Sequence, residues 1–307
     1  MVEGPDAASP LADPAAGAPL PPPTSPGSTG ELFGNKPATL LTLNDAFETG
    51  FRIVTKWSFI FPVMVVSVLV NAVVEAVAPR LLPSLANLQG LSPAEVERLI
   101  TGGLALFGIT LVGSFLASVY AWVWAVAATS GPLPTTEGVL RTAARRLPGI
   151  LGTGAVVVLF SITILIPTAA AVAIGATVNA GLAILLGIAI GVIWVWLWGR
   201  ISMAIWLAAE GHPVGASLRD SWRMTKGRLL LVLGWSFLYG IVAGLITGLL
   251  GAVLGLLPYT GGGVAQAISI GITTGAGVTL FRRVQAAAAA SGEARPTASA
   301  PTGQVAG

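Results

Sequence analysis

The 307-residue chain has no cysteine and a single histidine, His212. The first absence excludes disulfides and thiolate metal sites, and the second excludes a multi-histidine metal centre within one chain. Charge is scarce too. Asp, Glu, Lys and Arg make up 9% of the residues, against roughly a quarter in an ordinary soluble protein. With 54% apolar residues and a mean hydropathy of +0.83, a water-soluble globule of this size would lack the polar surface to cover itself. Hydrocarbon is the solvent that fits. No P-loop, GxSxG, HExxH or Asp-rich calcium loop is present. The expectation is a protein without a catalytic site, cofactor or metal, and without a nucleic-acid partner.

Both ends differ from the middle. Residues 1–38 are rich in Pro, Ala, Gly and Ser, including Pro21-Pro22-Pro23-Thr24-Ser25-Pro26, and are expected to be disordered, as is the segment 286–307. Glu3 and Asp6 stand where a signal peptide carries its basic region, so no cleavable signal is expected. Between the tails, residues 39–285 hold six apolar stretches long enough for a helix to cross a bilayer, which takes about 20 residues. They run from Trp57 to Ala78, about Leu99 to Thr129, about Pro148 to Ala176, about Gly181 to Ala209, about Leu229 to Leu257 and about Val264 to Leu280. The runs are continuously apolar rather than alternating, which favours helices over a barrel. The fold class expected is therefore all-α, a polytopic helical membrane protein with about six transmembrane helices.

Orientation follows from the cations. Of the 16 Lys and Arg, 14 fall on one side, in the approach to span one, the link between spans two and three, the region from Arg200 at the end of span four to span five, and the stretch after span six; Arg80 and Arg98 fall on the other. The positive-inside rule puts that side, with both termini, in the cytoplasm of a cell membrane.

Those three basic links look alike. Leu43-Asn-Asp-Ala-Phe47-Glu-Thr-Gly-Phe51-Arg52, Thr136-Glu-Gly-Val-Leu140-Arg-Thr-Ala-Ala144-Arg145 and Val214-Gly-Ala-Ser-Leu218-Arg-Asp-Ser-Trp222-Arg223 share apolar residues at i and i+4, with an Arg directly after. Helical spacing lines up Leu43, Phe47, Phe51 and Val54 in one apolar stripe, and Val214, Leu218, Trp222 and Thr225 in another. Each would lie in the cytoplasmic interface, its stripe in the acyl boundary and its cations near phosphate. The chain then reads as three hairpins, each preceded by an amphipathic interfacial helix.

Few residues suggest a site. Arg200 has apolar neighbours on both sides, and a charge there either contacts a ligand, pairs with another helix or snorkels to the headgroups. Asn71 and Glu75 are i, i+4 neighbours, Glu75 about 27 Å along span one at roughly 1.5 Å per residue and so near the outer interface. Glu210-Gly211-His212-Pro213 ends span four, and Glu210 is expected to pair with Arg219 or Arg223. Arg52, Arg145, Arg219, Trp222, Arg223 and Lys226 complete the set for headgroup binding or ion pairing. Gly187-x-x-x-Gly191, Gly244-x-x-x-Gly248, Gly251-x-x-x-Gly255 and Gly271-x-x-x-Gly275 are faces for close helix approach.

Glu210-Gly211, followed by Ala216-Ser217-Leu218-Arg219-Asp220-Ser221-Trp222-Arg223-Met224-Thr225-Lys226-Gly227, resembles the membrane domain attached to some bacterial glycerophosphoryl diester phosphodiesterases, and the related stand-alone multi-pass proteins of unknown function. The resemblance would cover roughly residues 40–285. It implies a membrane fold and no activity, because no stretch here could form the phosphodiesterase barrel with its metal-binding carboxylates. The function expected is a membrane domain that organises lipids, through anionic headgroups, or another membrane or cytoplasmic protein. A small-solute or lipid transporter is the alternative, since membrane-embedded polar groups are what transporter sites use.

Overall fold

The computed structural model describes residues 32–33, 37–81, 92–178, 180–254, 256–257 and 260–292. Among them it forms a 3-10 turn (Ala38–Leu40) and nine helices: α1 (Leu43–Val54), α2 (Trp57–Leu81), α3 (Pro93–Ser130), α4 (Thr136–Val178), α5 (Ala180–Ile201), α6 (Ala204–Glu210), α7 (Val214–Met224), α8 (Leu229–Leu254) and α9 (Gly261–Ala290). Six helical stretches are long and apolar enough to cross a membrane: α2, α3, α4, α5 continued by α6, α8 and α9. The protein is all-α and polytopic.

Local chemistry sets several boundaries. Thr42 and Asp45 close a reciprocal capping box at the start of α1, and Ser92 and Glu95 do the same for α3, with Pro93 in its first turn. Gly211, at φ 101°, ends α6. Its N–H donates to the Ala208 carbonyl and that of His212 to the Leu207 carbonyl, a Schellman closure that needs a left-handed residue. Arg228 serves two helix ends at once. It donates to the Met224 carbonyl of α7 and to the Ala287 carbonyl of α9, where carbonyls lack partners and the dipole favours a cation.

Two parts of the expected architecture are corrected. The second basic segment is not a separate helix, because α4 runs unbroken through Pro148 to Val178. Pro148 removes the bond to the Ala144 carbonyl, but both residues are exposed, so no buried carbonyl is orphaned. Span four, conversely, is two helices. The ladder breaks at Ser202–Met203, where the Gly199 carbonyl accepts from Ser202 Oγ at 3.0 Å and the Arg200 carbonyl from Ser221 Oγ of α7 at 2.7 Å. Hydroxyls stand in for the missing backbone donors.

Burial revises the amphipathic stripes. In α1 the buried face is Ala46, Thr49, Gly50 and Ile53, while Phe51 is 53% exposed. In α7 it is Ser217, Ser221 and Met224, while Trp222 is 41% exposed. Small residues, with Ile53 and Met224, pack inward, and the rings of Phe51 and Trp222 lie beside them facing out. The register repeats along the chain. Ala46, Val139 and Ser217 are buried, as are Gly50, Ala143 and Ser221, whereas Arg52, Arg145 and Arg223 are all exposed.

The core is built around α9. Buried residues make up 67% of its most apolar stretch, against 6% for the α5–α6 span. Its small residues allow this. Gly275 meets the backbone of Gly50 in α1, Gly263 that of Val68 in α2, and Gly271 the side chains of Val54 and Phe59. Around it, Phe59 meets Trp124 edge-on at 5.2 Å and Trp206 stacks on Phe281 at 6.1 Å. The Gly244 and Gly248 face of α8 meets nothing within 4 Å among the described residues, which leave this expected approach surface uncovered.

At both ends the placed structure reaches past the boundaries read from composition. Leu32 and Phe33 are buried, Arg283 donates to the Leu41 carbonyl at 2.6 Å, and α9 continues through the alanines to Ala290. An isolated Leu-Phe pair is diluted by its Pro and Ala neighbours, and alanine is the best helix former. The remaining tail residues lie outside the described ones.

Candidate functional site

The ends of α3, α6 and α9, the start of α8, and α1, α4 and α7 meet at one end of the molecule, and the basic side chains gather there. At its centre is Arg282. Nε donates to Thr129 Oγ1 at 2.9 Å, Nη2 to Ser130 Oγ at 2.7 Å and to the Val126 carbonyl at 3.2 Å, and Nη1 to Gln285 Oε1 at 2.7 Å and to Glu210 Oε1. Those acceptors use the full donor set of a guanidinium. Glu210 also accepts from Gln285 Nε2 at 3.3 Å, and its side chain is 14% exposed, as against 13% for Arg282. Next to it, Arg146 of α4 donates to the Ala209 carbonyl. His212 lies 3.9 Å from both Glu210 and Asp220. The expected partners of Glu210, Arg219 and Arg223, are instead directed to Asp220, at 3.5 Å and 3.9 Å. The ion pair therefore joins α6 to α9 rather than to α7. A largely buried pair with its hydrogen bonds satisfied is the arrangement that offsets desolvation.

A second constellation sits at the α5–α6 break. The Arg200 guanidinium lies 5.5 Å from the ring centres of both Trp196 and Trp222, and those two rings meet edge-on at 5.4 Å. Ser221, one residue before Trp222, holds the Arg200 carbonyl, so backbone and side chain of residue 200 are both seated against α7. Nε and Nη1 are buried without a hydrogen-bond partner. Cation–π contact stabilises a charge from its faces and leaves the N–H edge unmatched.

The other residues singled out from sequence are dispersed. Arg52 donates to Glu48 at 2.5 Å and to the Leu32 carbonyl at 3.3 Å, both side chains half exposed. Arg145 and Lys226 are exposed. Asn71 Nδ2 donates to Glu75 Oε1 at 2.8 Å, and the Asn71 amide abuts Gly262 of α9. Further polar groups lie along the same helices: Gln266 donates to Ser114 at 2.6 Å, Thr247 and Ser269 share a 2.8 Å hydrogen bond, and Ser67 Oγ is buried without a partner. Among the described residues no cluster of three His, Asp or Glu could hold a metal ion.

Sequence reasoning did not find Arg282, Arg146 or Asp220. Arg282 counted only as a cation after span six. The signal available was the uninterrupted helix beyond it, which sets Gln285 one turn away and keeps the guanidinium inside the bundle. No known protein family, curated protein or solved structure matches the chain.

Proposed function

We propose that the chain is a non-enzymatic membrane domain that gathers anionic lipids at its basic, cytoplasmic end and arranges them or a partner protein there. The observation that carries this reading is the shared register of the entry segments. In each, a buried face docks on the bundle and an exposed Arg follows, Arg52, Arg145 or Arg223, with the exposed rings of Phe51 and Trp222 beside two of them. Apolar rings and cations on one outward face are the chemistry of the headgroup boundary. Read this way, α1, the start of α4 and α7 are three copies of one interfacial entry, the second fused to its span. Native mass spectrometry from mild detergent tests it: the full chain should retain anionic phospholipid, and combined Arg219→Ala, Arg223→Ala and Lys226→Ala should remove most of that retention. Unchanged retention would refute the proposal.

A transporter is the second reading, favoured by the polar groups along α2, α3, α8 and α9. Solute flux into proteoliposomes that Arg200→Ala or Glu75→Gln abolishes would place it first.

A further inference from the structure

An arginine within an apolar helix that keeps two nitrogens buried and unpaired is an unfinished arrangement. Desolvation of a guanidinium is costly unless hydrogen bonds or an opposite charge offset it. Arg282 shows how this protein completes one, with five acceptors. Arg200 has none among the described residues. Its Nε and Nη1 are covered, Trp196 and Trp222 flank it, and Nη2 is the nitrogen left with surface. Its carbonyl is fixed to α7 through Ser221, so the side chain cannot leave with a loose helix end.

The surroundings define what would complete it. Trp222 lies on α7 with Arg219 three residues before it on the same side of the helix, and Lys226 follows in the turn that leaves α7; both cations are exposed. Asp220 draws Arg219 at 3.5 Å, and no acidic partner faces Lys226 among the described residues. Below the tryptophans, the outer face of α5 is exposed and apolar at Ile188, Val192 and Ile193. An anion at Nη2, further negative charge towards α7 and hydrocarbon along α5 together describe one molecule.

We propose that Arg200, between Trp196 and Trp222, seats the phosphate of a single anionic glycerophospholipid, with Arg219 and Lys226 selecting headgroups of net negative charge and the acyl chains lying on α5. The proposal rests on the reading that the basic end lies in the headgroup layer. Phosphate on a guanidinium gives charge-assisted hydrogen bonds, stronger than neutral ones. A zwitterionic lipid brings an ammonium group against Arg219 and Lys226.

The test is native mass spectrometry of the full chain, titrated with phosphatidylglycerol or phosphatidylcholine in mild detergent, with thermal unfolding as the check on folding. One phosphatidylglycerol per chain should persist at collision energies that strip the rest, and phosphatidylcholine should not. Arg200→Gln should lower occupancy of that tight site about tenfold, and Trp222→Leu, whose ring is at the surface, should do so by a smaller factor. Arg98→Gln, exposed at the start of α3 and outside the basic end, should leave it unchanged. Should Arg200→Gln fail to fold, Trp222→Leu together with Lys226→Gln decides the matter. Glycerophosphate at millimolar concentration should not displace the lipid; displacement would mean a soluble phosphate ester is the ligand and would overturn the proposal. Equal retention of the two lipids would overturn it too, as would wild-type occupancy in a folded Arg200→Gln or in the Trp222→Leu, Lys226→Gln pair. If those variants behave as wild type while the Arg219, Arg223 and Lys226 triple variant loses lipid, the discrete site fails and the general lipid-gathering reading stands. Loss of neither refutes both.

Discussion

Arg282 donates to acceptors on α3, α6 and α9, and its partner Glu210 is as buried as it is. Removing one member of such a pair leaves the other charged, buried and uncompensated, at a cost of about 3–5 kcal/mol. Glu210→Ala and Arg282→Ala should each destabilise the protein by that order in denaturing-detergent titrations. The double variant should lose far less than the two losses combined, because the second change removes the stranded charge. Simple additivity would show that the pair does not act as one unit. Glu210 itself was legible in the sequence through the Gly211 and Pro213 stop beside it. Its partner was not. Neighbours along the chain suggested Arg219 or Arg223, and the residue that reaches Glu210 is 72 positions away. Nothing in a linear pattern ranks one arginine over another across that separation.

At the scale of elements, continuous apolar runs fixed the existence of the spans, and capping residues fixed the starts of α1 and α3. The breaks were harder to see. Pro148 looked like a boundary and is not one, because its lost hydrogen bond faces outward. Ser202–Met203 looked like the interior of a span and is a break, because Ser202 Oγ donates to the Gly199 carbonyl and Ser221 Oγ of α7 to the Arg200 carbonyl. Neither outcome is decided by apolar character along the run. The amphipathic stripes were legible, and the buried faces beside them were not. Small residues, Ala46, Thr49 and Gly50 in α1 and Ser217 and Ser221 in α7, sit with Ile53 and Met224 against the bundle, since close approach needs little side chain. That yields a prediction. A Cβ on Gly275 would stand 2.3 Å from the Gly50 Cα, whereas one on Gly244 would meet nothing within 4 Å. Gly275→Val should destabilise by about 1–3 kcal/mol or more through overpacking, seen as a lower thermal midpoint. Gly244→Ala should be neutral or gain up to about 1 kcal/mol from helix propensity. Equal effects at the two positions would contradict the packing described here.

For the whole molecule, the distribution of cations makes a prediction about sidedness. The chain has no cysteine, so a single engineered thiol reports its own side without background. Lys226→Cys should resist a membrane-impermeant maleimide in intact cells and react after permeabilisation, and Arg98→Cys should react at once. The reverse pattern would invert the topology and remove the cytoplasmic lipid face with it. The same scale gives meaning to the contrast between α9 and the rest. The other five spans have mean hydropathies of 2.0–2.4, and α9 has 1.5. Translation delivers that least oily helix after all the others, although it forms the axle on which they turn. The earlier spans can pair before it comes, α2 with α3 and α4 with α5, and α1 waits longest for the groove it occupies. Completion of the bundle is thus a late event: a nascent chain halted before Gly261 holds those pairs without their shared support, and arrival of α9 ties α1, α2, α3 and α8 into one core.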